Sequence, residues 1–459
     1  MTELSRVLTE LAWSAVGGDA KTADQLAFVG SGGLASALPV SDFAAAAVAT
    51  AALSVAELVG KARGNRPQVT VDRRLAAIWF RASIRPLGWK LPAPWDPVAG
   101  DYRTQDGWIR LHTNAPRHQA AAERVLEARG DRDAIARATA RWSKASLETA
   151  VVEAGGCAAE MRSVAEWHAH AQGRAVAAEP LVRSVTTAPG AAPCWPVLSA
   201  RPLAGIRVLD LTRVLAGPVA SRFLAGFGAD VLRIDPPGWD EPGVAPEVTP
   251  GKRCARLDLR TPHDRAVFEQ LLFGADIFIH GYRPGALDGL GFGAAMRRRL
   301  APWLVDVSLD AYGWSGPWAG RRGFDSLVQM SAGIADRGMR CLHNARPLPL
   351  PVQALDHATG YLMGAAAIRG VTQRLENGAG TEARLSLARS AKLLIDHEPQ
   401  AADPPLAPET DRDLMPAIEQ TDWGPARRIV APFTVSETPQ HWQLPARNLG
   451  TAKPEWLLR

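Results

Sequence analysis

From residue 205 onward, short β-branched runs alternate with helical stretches, and this alternation leaves the chain few ways to fold. GIRVLDL reads as a strand, and TRVLAGPVASRFLAGFGA as a loop entering a helix, with Pro218 near its first turn. DVLRIDPP, DIFIHGY and WLVDVSLDAYG read as further strands, with the helical segment RTPHDRAVFEQLLFGA among them. Strands separated by helices at this spacing cannot pair as hairpins. They predict an α/β fold, an open parallel Rossmann-like sheet with flanking helices. A long helical segment, DHATGYLMGAAAIRGVTQRLENG, and a β-like segment, TEARLSLARSAKLLI, complete this region over 203–402. Residues 403–459, rich in Pro and polar residues, read as an extended closing arm.

The first 202 residues have a different texture. MTELSRVLTELAWSAVGGDA reads as an amphipathic helix without a signal peptide's basic start, so a cytoplasmic location is expected. An alanine-rich helix should start near Ser41-Asp42, where either side chain could cap it. Its most apolar stretch, Phe43 to Leu53, is too short to span a bilayer, and no membrane partner is expected. QVTVDRRLAAIWF reads as β-like and closes a segment at residue 95. Residues 96–182 read as a smaller α+β domain, with a hairpin turning at Asp106-Gly107 and helices over 119–142 and 146–153. Residues 183–202, rich in Ala, Pro, Ser and Thr, read as a linker.

The alanine-rich helix occurs twice. A shift of 314 positions (356 minus 42) lays LPVSDFAAAAVATAAL over VQALDHATGYLMGAAA without gaps, and Gly64 then falls on Gly378. The shared continuation into a strand points to duplication.

Composition narrows the chemistry. A length of 459 residues suggests about three domains on a prior of roughly 150 residues each. The 52 Lys+Arg against 47 Asp+Glu leave +5, which fits either surface arginines or a phosphorylated cofactor and does not call for nucleic acid. Cys157, Cys194, Cys254 and Cys341 lie far apart without CxxC pairing, as expected of reduced thiols, and no metal motif is present. The first strand–loop–helix lacks the G-x-G-x-x-G needed for close approach of a pyrophosphate, so NAD and FAD are not expected, although Asp235 ends the second strand. The glycines of FVGSGGL (Gly30, Gly32, Gly33) read as a flexible turn or an anion loop. Asp42 and Asp356 stand at the two repeated helix starts. Free N–H groups there would hold a carboxylate ionised, either as a structural cap or as a fixed nucleophile.

Several motifs agree in order over about residues 201–393: PLAGIRVLDLTRVLAGPVASRFLAGFGADVLRID, KRCARLDL, GYRPGALDGLGFG, DAYGWSGPWAGRRGFDSLVQMSAGIAD and PVQALDHATGYLMGAAAIRG. Together they resemble the family III CoA-transferases, which include formyl-CoA transferase, carnitine CoA-transferase and the alpha-methylacyl-CoA racemases. The 96–182 block looks like the family's small domain, and PFTVSETPQHWQLPARNLG like its carboxy-terminal arm. The family's order is rearranged here. A partial copy comes first, so the chain looks like two incomplete copies fused. Family members form interlocked homodimers, which leaves an internally interlocked monomer or a homodimer open to this chain.

The resemblance implies transfer of coenzyme A between an acyl-CoA donor and a carboxylic acid acceptor, with Asp356 as the catalytic residue and Asp42 as second choice. Asp356 keeps the family-like D-x-x-x-G-Y-L continuation. By motif position, Arg213, Val214, Leu215, Ala216, Arg260, Gly281, Tyr282 and Arg283 would lie near CoA, with arginine suited to phosphates and Tyr282 to the adenine face. In the family's racemases a G-H-D motif supplies a proton shuttle. Here it reads Gly323-Phe324-Asp325, and Phe cannot shuttle a proton. A racemase or isomerase is thereby disfavoured, and a non-catalytic acyl-CoA-binding subunit is the rival from another class. The apolar Phe324 and Leu355 would suit a hydrophobic acyl group, and an arginine-rich crevice a dicarboxylate.

Overall fold

The computed structural model describes residues 3–187, 189–193, 195–399 and 403–457, so Cys194 lies outside the described residues. The amino-terminal helix Glu3–Ala15 turns its apolar face, including Leu4, Leu8 and Trp13, onto the helix Val40–Arg63. Strands β1 (Leu26–Val29) and β2 (Val69–Asp72) flank that helix in sequence and pair in parallel. Strand β3 (Ile84–Pro86) follows. The expected β-like run splits after VTVD. The Asp72 side chain accepts the Leu75 N–H at 3.0 Å, which starts a helix over Arg73–Trp79 in place of a longer strand. Neither Ser41 nor Asp42 caps the Val40–Arg63 helix. Ser41 Oγ instead accepts the Leu34 N–H at 3.0 Å, and Asp42 is taken by an arginine.

The smaller domain has its own core, including Tyr102, Ile109, Leu126, Ile135, Leu147 and Val151. Strands β4 (Gly100–Arg103), β5 (Trp108–Leu111) and β6 (Ala158–Glu160) form an antiparallel sheet. The expected 119–142 helix is two helices, Pro116–Leu126 and Arg132–Thr139, separated where Glu127 and Gly130 take positive φ.

The linker region is not all linker. β7 (Arg183–Thr186) pairs antiparallel with a later strand and forms one edge of the main sheet. The parallel members of that sheet are β8 (Arg207–Leu211), β9 (Asp230–Asp235), β10 (Lys252–Arg256), β11 (Ile277–His280), β12 (Val305–Asp310) and β13 (Thr381–Ser386). The order is β10-β9-β8-β11-β12-β13-β7. Its inner strands are buried on both faces, which explains their continuous apolar runs. TEARLSLARSAKLLI divides as its earlier counterpart did: Ser386 accepts the Arg389 N–H at 3.2 Å and a helix runs over Leu387–Ile395.

The closing arm reaches back to the start of the chain. Its strands are β14 (Glu419–Thr421), β15 (Gly424–Arg428) and β16 (Phe433–Val435). β16 pairs antiparallel with β2, and β15 with β3. The helices Val40–Arg63 and Ala354–Asn377 pack against each other, their alanines allowing close approach. One hydrophobic core therefore runs from residues of 1–95 through 203–402 into the arm. The Val40–Arg63 helix is long and apolar enough to cross a bilayer, but its apolar window is 94% buried inside the protein.

Candidate active site

The carboxyl ends of β8, β11 and β12 open onto a cleft of about 330 Å³, the usual crevice of an open parallel sheet. Leu211, Gly281, Asp310 and Leu387 mark those strand ends and the start of the helix after β13. Arg117 and His118, from the first turn of the helix Pro116–Leu126, bring the smaller domain to the same cleft.

Buried charges hold the loop after β8 in place. Asp210 is fully buried and accepts the Thr212 N–H at 2.8 Å, while Lys252 Nζ lies 3.3 Å from it. Burial pushes Lys252 down to about 8. In the loop itself Val214 has φ +65°. A β-branched residue at positive φ is strained, and such strain collects where a backbone must meet a ligand. The Val214 N–H donates to Glu241 at 2.8 Å, which helps to fix it. Arg213 lies between two rings, 4.9 Å from the Trp239 centroid and 5.3 Å from that of Tyr282, and donates to the Tyr282 hydroxyl at 2.9 Å.

Asp356 lies in the first turn of the helix Ala354–Asn377 and lines the cleft. Gly360, one turn further on, lets this helix approach the β8 loop. A Cβ there would sit 2.3 Å from the Ala216 carbonyl oxygen. The Asp356 N–H donates at 3.0 Å to Asp325, which also accepts from the Leu355 N–H and from Gln329. The two carboxylates influence each other. Burial raises Asp325 to about 6 despite those donors, and burial followed by the Asp325 charge pushes Asp356 well above the usual carboxylate range. Asp310 is likewise raised to about 8 by burial.

The expected site residues divide clearly. Arg213, Val214, Leu215, Ala216, Gly281, Tyr282, Arg283 and Asp356 all line this cleft. Arg260 does not; its side chain is 79% exposed and paired with Asp258 at 2.8 Å. Asp42 is also elsewhere, buried and bound through both oxygens by Arg73 at 2.9 and 2.8 Å, with Ser5 donating at 2.6 Å. Leu355 is fully buried and off the cleft wall, whereas Phe324 is on it. Gly32 and Gly33 meet the closing arm: the Gly33 N–H donates to the Pro404 carbonyl at 2.9 Å. Motif reading missed Arg117, His118, Trp239, Asp310, Arg321, Arg322 and Leu387. Arg321 and Arg322 stand directly before the Gly323-Phe324-Asp325 motif, which marks them in the sequence; the others depend on tertiary folding. No cluster of His, Cys, Asp and Glu suited to a metal occurs among the described residues.

The family profile of CoA-transferase family III matches residues 203–427. The chain is 30% identical to the probable fatty acyl-CoA transferase Rv3272 of Mycobacterium tuberculosis, covering 53% of this chain and 68% of that protein. It is 28% identical to human succinyl-CoA:glutarate CoA-transferase, covering 52% of this chain and 54% of the relative. It is 29% identical to formyl-CoA:oxalate CoA-transferase of Bradyrhizobium diazoefficiens, covering 39% and 44% respectively. The chain thus spans about half the length of these last two relatives. A crystal structure of Rv3272 aligns at TM-score 0.38 and 29% identity, over 43% of this chain and 58% of that one. The ordered motifs, the profile match and the Rv3272 sequence together place this chain in CoA-transferase family III.

Proposed function

We propose that this protein transfers coenzyme A from an acyl-CoA to a carboxylic acid, with Asp356 as the nucleophile. The observation that carries the reading is an acidic side chain at a helix start, lining a cleft at the carboxyl ends of a parallel sheet, with no ion pair among the described residues. One Asp356 oxygen attacks the thioester carbonyl carbon. The tetrahedral adduct collapses to a mixed anhydride and expels CoA thiolate, so one negative charge enters and one leaves. The thiolate then attacks the Asp356 acyl carbon, giving an aspartyl-CoA thioester and releasing the donor acid. An acceptor carboxylate repeats both steps in reverse and departs as the new acyl-CoA.

This chemistry needs a fixed carboxylate, stabilised oxyanions and little water, because anhydrides hydrolyse. Arg213, Val214, Leu215, Ala216, Gly281, Tyr282 and Arg283 form the proposed CoA-binding set, and Arg260 drops out of it. Arg117, Arg283 and Arg322 have no carboxylate ion pair among the described residues. Burial, and then the Arg322 charge, lower Arg117 and Arg283, so an anionic substrate would relieve their mutual repulsion.

The architecture fits two incomplete copies fused into one interlocked unit, since the arm pairs with β2 and β3 of the first copy and the first Asp helix packs against that of the second. The test offers the protein a panel of acyl-CoAs with mono- and dicarboxylic acids and follows new acyl-CoAs by mass spectrometry. Product from the native protein and none from Asp356→Asn, with CoA binding retained, supports transfer. CoA binding without product from either would make it an acyl-CoA-binding subunit.

A further inference from the structure

Four histidines have a buried Nδ1 without a hydrogen-bond partner among the described residues: His112, His118, His280 and His357. A buried, unsatisfied N–H costs about 1–3 kcal/mol, so each such group needs a reason. His112 stacks face to face on Phe324 at 3.7 Å, and His357 on Phe80 at 4.8 Å. His280 lies beside Arg297 and Asp306. None of these three reaches the cleft, and His118 alone of the four lines it.

Three contacts hold His118, two of them on its ring. Its backbone N–H donates to the Ala115 carbonyl at 2.8 Å in the first helical turn. Arg117 Nε donates to His118 Nε2 at 3.3 Å, which makes Nε2 the acceptor and leaves the imidazole hydrogen on Nδ1. The ring meets Phe324 edge to face at 6.0 Å. Phe324 directly precedes Asp325, and Asp325 holds the Asp356 N–H, so the His118 ring packs one residue away from the carboxylate pair. The residue is only 2% exposed, and its free N–H belongs to a group that shares the cleft with Asp356.

We propose that His118 is a second catalytic residue, donating its Nδ1 hydrogen to the thioester carbonyl oxygen while Asp356 attacks the carbonyl carbon. This rests on the transfer reading above. In the step, the Asp356 oxygen forms the new C–O bond and the carbonyl π pair moves onto oxygen. His118 stabilises that oxyanion by a hydrogen bond without giving up its proton. The C=O bond re-forms as the C–S bond breaks, and the thiolate carries away the charge. A donor suits this role when it stays uncharged and does not need to reorganise. Burial, and then Arg117 and Arg322, hold His118 down to about 4, so it keeps this form at neutral pH. The smaller domain then contributes a group to the chemistry as well as covering the cleft.

The test is single-turnover acylation of the full-length protein by the acyl-CoA that serves the native chain best, trapped with hydroxylamine as the Asp356 hydroxamate. His118→Leu keeps the packing on Phe324 and removes the donor. His118→Asn keeps an amide N–H near the Nδ1 position, and circular dichroism checks both folds. Acylation should slow about 10²-fold in His118→Leu with acyl-CoA affinity within about 3-fold, and His118→Asn should recover at least about 10-fold of the loss. Native-rate acylation in His118→Leu, or no rescue by His118→Asn, overturns the proposal. An unmarked native protein, by contrast, overturns the transfer reading itself and the proposal with it.

Discussion

The two aspartate helices follow one plan to the residue and differ at one decisive place. Val40–Arg63 and Ala354–Asn377 each have 24 residues and start 314 positions apart. Each opens after the same turn, with the Val40 N–H bonded to the Leu38 carbonyl and the Ala354 N–H to Val352, both at 2.8 Å. Each ends on a left-handed glycine, Gly64 at φ +78° and Gly378 at φ +72°. Each is followed by a strand whose last residue, Asp72 or Ser386, caps the next helix. The first residue of that helix is Arg73 in one case and Leu387 in the other. Arg73 grips Asp42, while Leu387 sits on the cleft wall with Asp356. A carboxylate at a helix start is thus structural or available for chemistry according to what the neighbouring strand-to-helix junction places beside it.

The largest effect should come from the aspartates themselves. Asp356→Asn should lower transfer roughly 10³-fold or more, because the proposed nucleophile is gone. Asp42→Asn should leave the rate near native but cost about 3 kcal/mol in urea unfolding, since it strips a buried arginine of its main partner.

Moving the difference between the two regions should come next. Leu387→Arg would place a guanidinium where the junction after the first aspartate helix has one and should slow transfer roughly 10²-fold, with Asp356 tied up in a salt bridge. Steady-state rates, with folding checked by circular dichroism, measure it. An unchanged rate would break the comparison.

A smaller change should appear in the pH profile. The proposed attack needs Asp356 ionised, and its pKa is raised by burial and by the Asp325 charge. Activity should therefore fall as pH drops through that raised value, well above the usual carboxylate range. Asp325→Asn removes the like charge, lowers the Asp356 pKa and should move the acidic limb of kcat to lower pH. A limb that stays put would show that burial alone sets it. Smallest of all, Arg260→Ala should change acyl-CoA affinity by less than about 2-fold in calorimetry, because the side chain is exposed and paired only with Asp258.

Much of this was legible in the chain itself. The β-branched runs of 205–313 gave the parallel strands, because strands covered on both faces must be apolar throughout. The helix starts at Asp42 and Asp356 could be placed by their repeated pattern. Local signals failed where a cap or a distant partner decided. Asp72 and Ser386 turned two β-like runs into strand-then-helix, and β7 became a strand because β13 offered it an edge. Arg260 was carried to the cleft by motif position, whereas its neighbour Asp258 holds it on the surface. The Asp325–Asp356 contact and the approach of His118 join residues far apart in sequence, beyond the reach of periodicity.

The most direct test of the contrast between the two aspartates is a covalent trap. The native protein, turning over acyl-CoA, is quenched with hydroxylamine and its peptides are mapped by mass spectrometry for aspartyl hydroxamate. A mark on Asp356 and none on Asp42 is the expected result. A mark on Asp42, or an unmarked Asp356 in protein that is visibly transferring CoA, would contradict it.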